Sequence, residues 1–139
     1  MLPPVALTVA GSDSGGGAGI QADLKTFAFH GVYGVSAITC VTAQNTVGVH
    51  RVDAIPPEGV IAQVRAVRDD FPISSATLGM LLGCEIIEAL AAELDQAPLP
   101  QLVLDPVMVA RSGDRLIDEE AITILIEKLL PHASIVTPN

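Results

Sequence analysis

Short apolar segments alternate with amphipathic segments along the chain. Residues 5–10 form an apolar run rich in β-branched side chains, and a glycine-rich stretch follows at 11–17, which predicts a strand that enters a loop. Apolar residues then recur at helical spacing between 20 and 27, and Gly31 suits the left-handed position that ends a helix. The first unit is therefore predicted to be strand, loop and helix.

The same alternation continues through the rest of the chain. Further strands are predicted at 35–41, 76–80, 102–104 and within 134–139, and helices at 56–71, 86–94 and 118–130. Strands joined by crossover helices form parallel sheets that helices cover on both faces. The pattern predicts an α/β fold with a mostly parallel sheet, in which residues 1–139 form one domain or part of one.

Composition supports this fold and excludes several classes of partner. Half of the residues are hydrophobic but only 3% are aromatic, so the core must rest on Val, Ile, Leu and Ala. A formal net charge of -9, without a local Lys/Arg cluster, opposes binding to nucleic acid and to anionic membrane surfaces. The apolar runs are too short for a signal sequence or a membrane span. We expect a cytoplasmic protein with neither nucleic-acid nor membrane partners.

Cysteines and histidines form no metal or redox motif in the sequence. Cys40 and Cys84 lie far apart in apolar segments, without the paired spacing of such motifs, and both are predicted to be buried thiols. No two of the three histidines have the i,i+4 spacing of a metal-ligand pair. We expect them at the surface or at the ends of elements.

Candidate chemistry lies where strands end, because ligands of open parallel sheets bind beyond the carboxyl ends of the strands. The segments expected at that edge are 11–17, 42–46, 79–82, 105–114 and 137–139. The glycine loop is the strongest of these, since its backbone N–H groups can approach a ligand closely.

Two nucleotide-binding interpretations of the glycine loop fit poorly. A Walker A loop ends in Gly-Lys-Ser/Thr, whereas this loop runs into Gly-Ala-Gly-Ile at 17–20. A dinucleotide fingerprint matches weakly at 17–22 but lacks the acidic ribose ligand about twenty residues later. A glycine turn that only connects strand to helix remains the simplest alternative.

The segment from Ala10 to Asp23, which reads AGSDSGGGAGIQAD, resembles the opening signature of the hydroxymethylpyrimidine/phosphomethylpyrimidine kinases of thiamine biosynthesis. Further matches follow in order at TAQNT (42–46), GML (79–81), DPVMV (105–109), SGD (112–114) and TPN (137–139). The resemblance covers the whole chain. It implies a ribokinase-like fold, with residues 1–139 as the amino-terminal, substrate-binding portion of a single domain.

The same resemblance implies a reaction and a set of pyrimidine-contacting residues. The reaction is the ATP- and magnesium-dependent phosphorylation of 4-amino-5-hydroxymethyl-2-methylpyrimidine and then of its monophosphate. Gln44 is implied as the main pyrimidine ligand, a role that suits a carboxamide because it presents a donor and an acceptor in one plane. Gly11 and Ala18 are implied to line the pocket through backbone atoms, and Met80 and Val107 to be its apolar walls. The alternatives are that Gln44 caps a loop and that Met80 and Val107 belong to the core.

Three further residues are implied near the reacting groups. Asp23 resembles a position beside the substrate hydroxymethyl group, although a carboxylate early in a helix is also favoured by the helix dipole. Asp105 and Asn139 resemble positions near magnesium and the ATP phosphates, where oxygen ligands suit a hard cation, or they cap loops.

The resemblance also implies that the family's anion hole and catalytic Cys lie beyond residue 139. Phosphoryl transfer depends on such positioned charge stabilisation, so we expect no catalytic residue in this chain and no activity from the chain alone. A pyridoxal-type vitamin kinase of the same fold and a non-catalytic pyrimidine-binding module remain alternatives. Expected partners are a small aminopyrimidine and either a second copy in a homodimer or a complementing carboxy-terminal half.

Overall fold

The computed structural model describes residues 3–109 and 117–138, in which a six-stranded sheet packs against helices on both faces. The strands are β1 (Val5–Asp13), β2 (Tyr33–Gln44), β3 (Val49–Ala54), β4 (Ile73–Leu78), β5 (Leu102–Leu104) and β6 (Ile135–Val136). The helices are α1 (Gly19–Phe29), α2 (Pro57–Asp70), α3 (Cys84–Gln96) and α4 (Glu119–Ile124). A π-helical turn, Leu125–Leu129, and a 3₁₀ turn, Leu130–His132, continue α4.

The strand order is β3-β2-β1-β4-β5-β6, and every neighbouring pair is parallel except β2 with β3. The predicted α/β fold with a mostly parallel sheet is therefore confirmed. Since β1, β2, β4 and β5 run in one direction, their carboxyl ends lie side by side. The loops after these strands meet at that edge.

Alternation along β1 divides the sheet into two faces. Leu7 and Val9 are fully buried in the main core, together with Val60 of α2 and Ile87 of α3. Helix α1 covers the opposite face of β1 and β2. A close approach at Gly34 makes this possible, because a Cβ there would lie 2.6 Å from Cδ2 of Leu24.

Two parts of the sheet differ from the sequence prediction. Strand β3 was not predicted, because all its residues are exposed and show no apolar alternation. Strand β1 runs to Asp13 and not to the predicted end at residue 10. A register shift between Ala10 and Ser12 lets the last residues of β1 pair with Val41 and Thr42 of β2. Three of the seven residues of the predicted loop, 11–13, therefore belong to the strand.

The cysteine prediction holds for one residue of two. Cys40 is fully buried in β2, whereas Cys84 is only half-buried at the first position of α3. Burial raises the pKa of both thiols, and the pKa of Cys84 is raised further by nearby carboxylates, Asp118 first among them. Neither cysteine therefore has the lowered pKa of a reactive thiolate.

The histidines lie at the surface or at the ends of elements. His30 follows the last residue of α1, and His50 is exposed on β3. His132 is half-buried, with Nε2 3.2 Å from a carboxylate oxygen of Asp95. In the described part of the chain, no helix is long and apolar enough to cross a membrane.

Candidate substrate-binding site

A cavity of about 430 Å³ lies at the carboxyl ends of β1, β2, β4 and β5. All the residues assigned to substrate contact by resemblance line it: Gly11, Ala18, Asp23, Gln44, Met80 and Val107. Asp105 lines it too, whereas Asn139 lies outside the described residues. Four separate segments of the chain thus contribute to one cavity.

The glycine loop is organised around the carboxylate of Asp13, which is buried. Oδ1 accepts a hydrogen bond from the backbone N–H of Gly15 at 2.7 Å, and Oδ2 accepts from those of Gly17 and Ala18, both at 2.9 Å. Bonds from several N–H groups to one carboxylate stabilise its charge. The Asp13 carboxylate therefore holds the glycine loop in its closed turn.

This arrangement corrects one expectation from the sequence. The loop N–H groups were expected to face a ligand, but three of them face Asp13. Sequence reasoning gave Asp13 no role, although an Asp shortly before several glycines favours a side chain that bonds to the following backbone.

Gly19 fixes the start of α1 against the end of β1. Its φ is +57°, and a Cβ there would lie 2.2 Å from the carbonyl oxygen of Gly11. Any side chain at this position would therefore separate the loop from the strand. Close packing here brings Ala18 and Asp23 to the cavity wall.

Gln44 is the last residue of β2 and is half-buried. The Thr42 hydroxyl lies 2.9 Å from the carbonyl oxygen of Ser12 and 3.2 Å from Oε1 of Gln44. Because one hydroxyl has one proton, it cannot donate to both acceptors at once. Nε2 of Gln44 makes no hydrogen bond with the described residues. The carboxamide is thus largely available to a ligand.

Apolar side chains form the opposite wall of the cavity. Met80 and Val107 line it as expected, and Val49 and Val109 add apolar surface that was not predicted. The Thr39 hydroxyl donates to the carbonyl oxygen of Met80 at 2.6 Å, which fixes the backbone after β4. An apolar cavity with a few placed polar groups is typical of small-molecule sites.

Two carboxylates line this cavity, one on α1 and one in the segment that follows β5. Asp23 on α1 accepts a hydrogen bond of 2.6 Å from the fully buried Thr8 hydroxyl. Oδ1 of Asp105 is buried and has no hydrogen-bond partner among residues 3–109 and 117–138. Burial raises the pKa of Asp105, and the negative charge of Asp23 raises it further.

A buried carboxylate oxygen without a partner fits a hard cation or a hydrogen-bond donor. The described residues contain no group of three His, Cys, Asp or Glu side chains placed to hold a metal ion. The unpartnered oxygen of Asp105 therefore fits a single protein ligand of a magnesium ion that waters and phosphate oxygens otherwise coordinate.

The mostly parallel sheet, with an apolar cavity and two carboxylates at its strand ends, has a ribokinase-like fold. Solved structures of two kinases with this fold superimpose on the chain. The phosphomethylpyrimidine kinase of Clostridium difficile has a TM-score of 0.92 and 47% identity, covering 98% of this chain and 59% of its own. The pyridoxal kinase of Staphylococcus aureus, solved in complex with pyridoxal, has a TM-score of 0.85 and 33% identity, covering 99% and 49%.

The chain belongs to the phosphomethylpyrimidine kinase family, whose pattern it matches over residues 13–139. A hydroxymethylpyrimidine/phosphomethylpyrimidine kinase of Synechococcus elongatus is 59% identical over all 139 residues, which are 52% of that relative. The chain spans about half the length of the curated relatives it matches. The resemblance found in the sequence is confirmed.

Proposed function

We propose that this chain supplies the pyrimidine-binding half of a kinase of thiamine biosynthesis. The reaction is ATP-dependent phosphorylation of 4-amino-5-hydroxymethyl-2-methylpyrimidine and of its monophosphate. One observation carries the proposal: all six residues assigned to the pyrimidine by resemblance line a single cavity at the strand ends. The names of the relatives give the substrate class.

Gln44 provides the hydrogen-bonding edge of the proposed site. Its carboxamide presents a donor and an acceptor in one plane, as an aminopyrimidine edge does in complementary order. Met80 and Val107 enclose the ring, and Gly11 and Ala18 keep the opposite side free of large side chains. Asp23 accepts a hydrogen bond from the hydroxymethyl group.

Magnesium and ATP complete the proposed reaction. Asp105 holds the magnesium flank of the site, which its unpartnered oxygen supports, and Asn139 is proposed for the same side. The bound cation would neutralise charge on the transferring phosphoryl group. Most of the nucleotide site is proposed to lie in a second half of the domain.

The described residues offer no convincing catalytic group for phosphoryl transfer. The pKa values of Cys40 and Cys84 are both raised, and neither side chain lines the cavity. We therefore propose that the chain alone binds the pyrimidine without turnover.

Activity would require a complementing carboxy-terminal half. The side chains of Ile135 and Val136 on the edge strand β6 are apolar and exposed, which supports a partner at that edge. A cytoplasmic location and a homodimeric state of the complete enzyme are proposed with it.

A pyridoxal-type kinase is the second candidate, favoured by the structural similarity to the S. aureus pyridoxal kinase. The higher TM-score and identity of the C. difficile phosphomethylpyrimidine kinase favour the pyrimidine.

Calorimetric titration of the purified chain with 4-amino-5-hydroxymethyl-2-methylpyrimidine, pyridoxal and ATP tests the proposal. We expect the pyrimidine to bind, and Gln44→Ala to weaken it at least tenfold, since a lost hydrogen bond that leaves a ligand group unpaired costs about 1–3 kcal/mol. Gln96→Ala is the matched control, because Gln96 is exposed at the end of α3. Binding of ATP or pyridoxal in preference to the pyrimidine would contradict the proposal.

Turnover separates the enzyme from a binding module. We expect no ADP release from the chain with pyrimidine, ATP and magnesium, and activity once a carboxy-terminal half from a relative is added. Activity of the chain alone would refute the proposed division between the halves. Pyrimidine binding that no added half converts to turnover would favour the non-catalytic module.

A further inference from the structure

The side chain of Ser14 holds both main-chain polar groups of Gln44. Its hydroxyl donates to the carbonyl oxygen of Gln44 at 2.6 Å and accepts from the N–H of Gln44 at 2.8 Å. These residues lie thirty positions apart in the sequence. A single side chain thus joins the glycine loop to the end of β2.

Ser14 bonds to β2 just beyond the last backbone pair of the β1–β2 ladder. The last backbone pairs of this ladder are Ser12 with Val41 and Asp13 with Thr42. Beyond them β1 turns away, and the N–H of Gly16 donates to the carbonyl oxygen of Asp13 at 2.9 Å to close the turn. The Ser14 hydroxyl therefore replaces the backbone partner that β1 no longer offers to β2.

On the side that faces β3, the backbone pairing of Gln44 is irregular. Gln44 pairs with Val49 of β3 only after a register shift at Ala43. All residues of β3 are exposed, so few packing contacts hold that strand in place. Ser14 is consequently the firmer of the two anchors of Gln44.

We propose that Ser14 is a positioning residue for pyrimidine recognition. By fixing the main chain of Gln44, it limits the directions in which the carboxamide can point, so that less conformational freedom is lost when a ligand binds. This inference rests on the proposed role of Gln44 as the pyrimidine ligand. It assigns to Ser14 no contact with the substrate.

Substitution of Ser14 separates positioning from folding. Ser14 is exposed, so Ser14→Ala removes the hydroxyl without opening a cavity in the core. We expect the pyrimidine affinity to fall about five- to tenfold, the equivalent of one or two net hydrogen bonds. Ser14→Thr retains the hydroxyl and should restore most of the affinity.

A matched control is available at the other ends of the strands, where β1 and β4 begin. Ser74 also donates a hydroxyl hydrogen bond to a main-chain oxygen, that of Val5, at 2.9 Å, and it is also exposed. Ser74→Ala should leave the pyrimidine affinity unchanged. An equal loss in both variants would mean that the effect is general destabilisation, and would overturn the inference.

The double variant shows whether Ser14 acts through Gln44. In a Gln44→Ala background, Ser14→Ala should cause no further loss of affinity. If Gln44→Ala alone leaves binding intact, or if the unsubstituted chain does not bind the pyrimidine, the proposed function fails and the inference fails with it. If Gln44→Ala weakens binding but Ser14→Ala does not, only the role of Ser14 is refuted.

Amide hydrogen exchange tests the anchor without a ligand. The N–H of Gln44 should exchange several-fold faster in Ser14→Ala and remain protected in Ser74→Ala. An unchanged exchange rate at Gln44 would show that Ser14 does not hold this strand end, and would overturn the inference.

Discussion

Cys40 occupies the space that a side chain on Gly11 would need. A Cβ at Gly11 would lie 2.8 Å from Sγ of Cys40, which is shorter than the van der Waals contact distance between carbon and sulfur. Cys40 is fully buried, so its sulfur has little room to move aside. The two residues therefore pack against each other, with Gly11 on the cavity wall and Cys40 behind it.

Gly11→Ala should destabilise the fold by about 1–3 kcal/mol, the usual cost of overpacking a buried position. Adding Cys40→Ala should recover part of this loss, because it removes the sulfur that the new methyl group meets. Chemical denaturation of both single variants and the double variant measures the coupling. Strictly additive losses would show that Gly11 and Cys40 do not share this space.

Asp13→Asn should loosen the glycine loop. The amide group offers one acceptor oxygen where the carboxylate offers two, so at least one of three backbone N–H groups loses its partner. We expect a loss of about 2 kcal/mol in the free energy of unfolding and faster proteolysis within the loop. Asp53→Asn is the control, since it makes the same change in an exposed ion pair and should have little effect on stability.

Glu93 should be the most important charged residue for stability. It is 4% exposed and bonds to Arg65 at 2.6 Å and to Arg68 at 2.7 Å, which joins α2 to α3. Glu93→Gln should therefore destabilise the fold by roughly 1–3 kcal/mol. The exposed pair of Glu88 and Lys128 provides the control, and Glu88→Gln should have little effect.

The effect of Glu93 should depend on pH. The hydrogen bond from Arg65 and the nearby arginine charges lower the pKa of Glu93 in the folded state. The stabilisation is therefore present above the ordinary pKa of a glutamate and is lost as the pH falls through the lowered value. The difference in stability between wild type and Glu93→Gln should shrink in acid, and a pH-independent difference would contradict this origin.

Asp105→Asn should stabilise the fold at neutral pH. Because burial and Asp23 raise the pKa of Asp105, its contribution favours folding below the ordinary aspartate pKa and is lost as the pH rises through the raised value. Removing the charge should increase the free energy of unfolding at pH 7 by about 1 kcal/mol. Thermal unfolding at pH 4 and pH 7 measures this, and the gain should be smaller at pH 4.

The order of strands and helices could be predicted because burial imposes a pattern on the sequence. The apolar runs of β1 and β2 and the amphipathic face of α2 all arise from packing against one core. β3 leaves no such pattern, because its residues are exposed and it is held by pairing with β2 alone. Val49 of this strand consequently joined the cavity without any signal in the sequence.

The candidate site was predicted through a motif, and the motif explained less than the structure does. The glycines indicated close approach of the backbone to a ligand, whereas Gly11 and Gly19 allow close packing of the chain against itself. The roles of Asp13 and Ser14 depend on hydrogen bonds to backbone groups of the loop and of β2. The local bonds of Asp13 have a sequence signal in the glycines that follow it. The bonds from Ser14 to Gln44 span thirty residues and require the three-dimensional path of the chain.

The position of β1 has a consequence for the order of events during synthesis. This strand is made before the other five described strands, yet it lies in the middle of the sheet, between β2 and β4. Until β4 leaves the ribosome, one apolar side of β1 has no hydrogen-bonding neighbour, and the cavity has no Met80. A nascent chain should therefore acquire affinity for a small molecule only after β4 and Met80 have left the ribosome, so that ligand binding would report this stage of its folding.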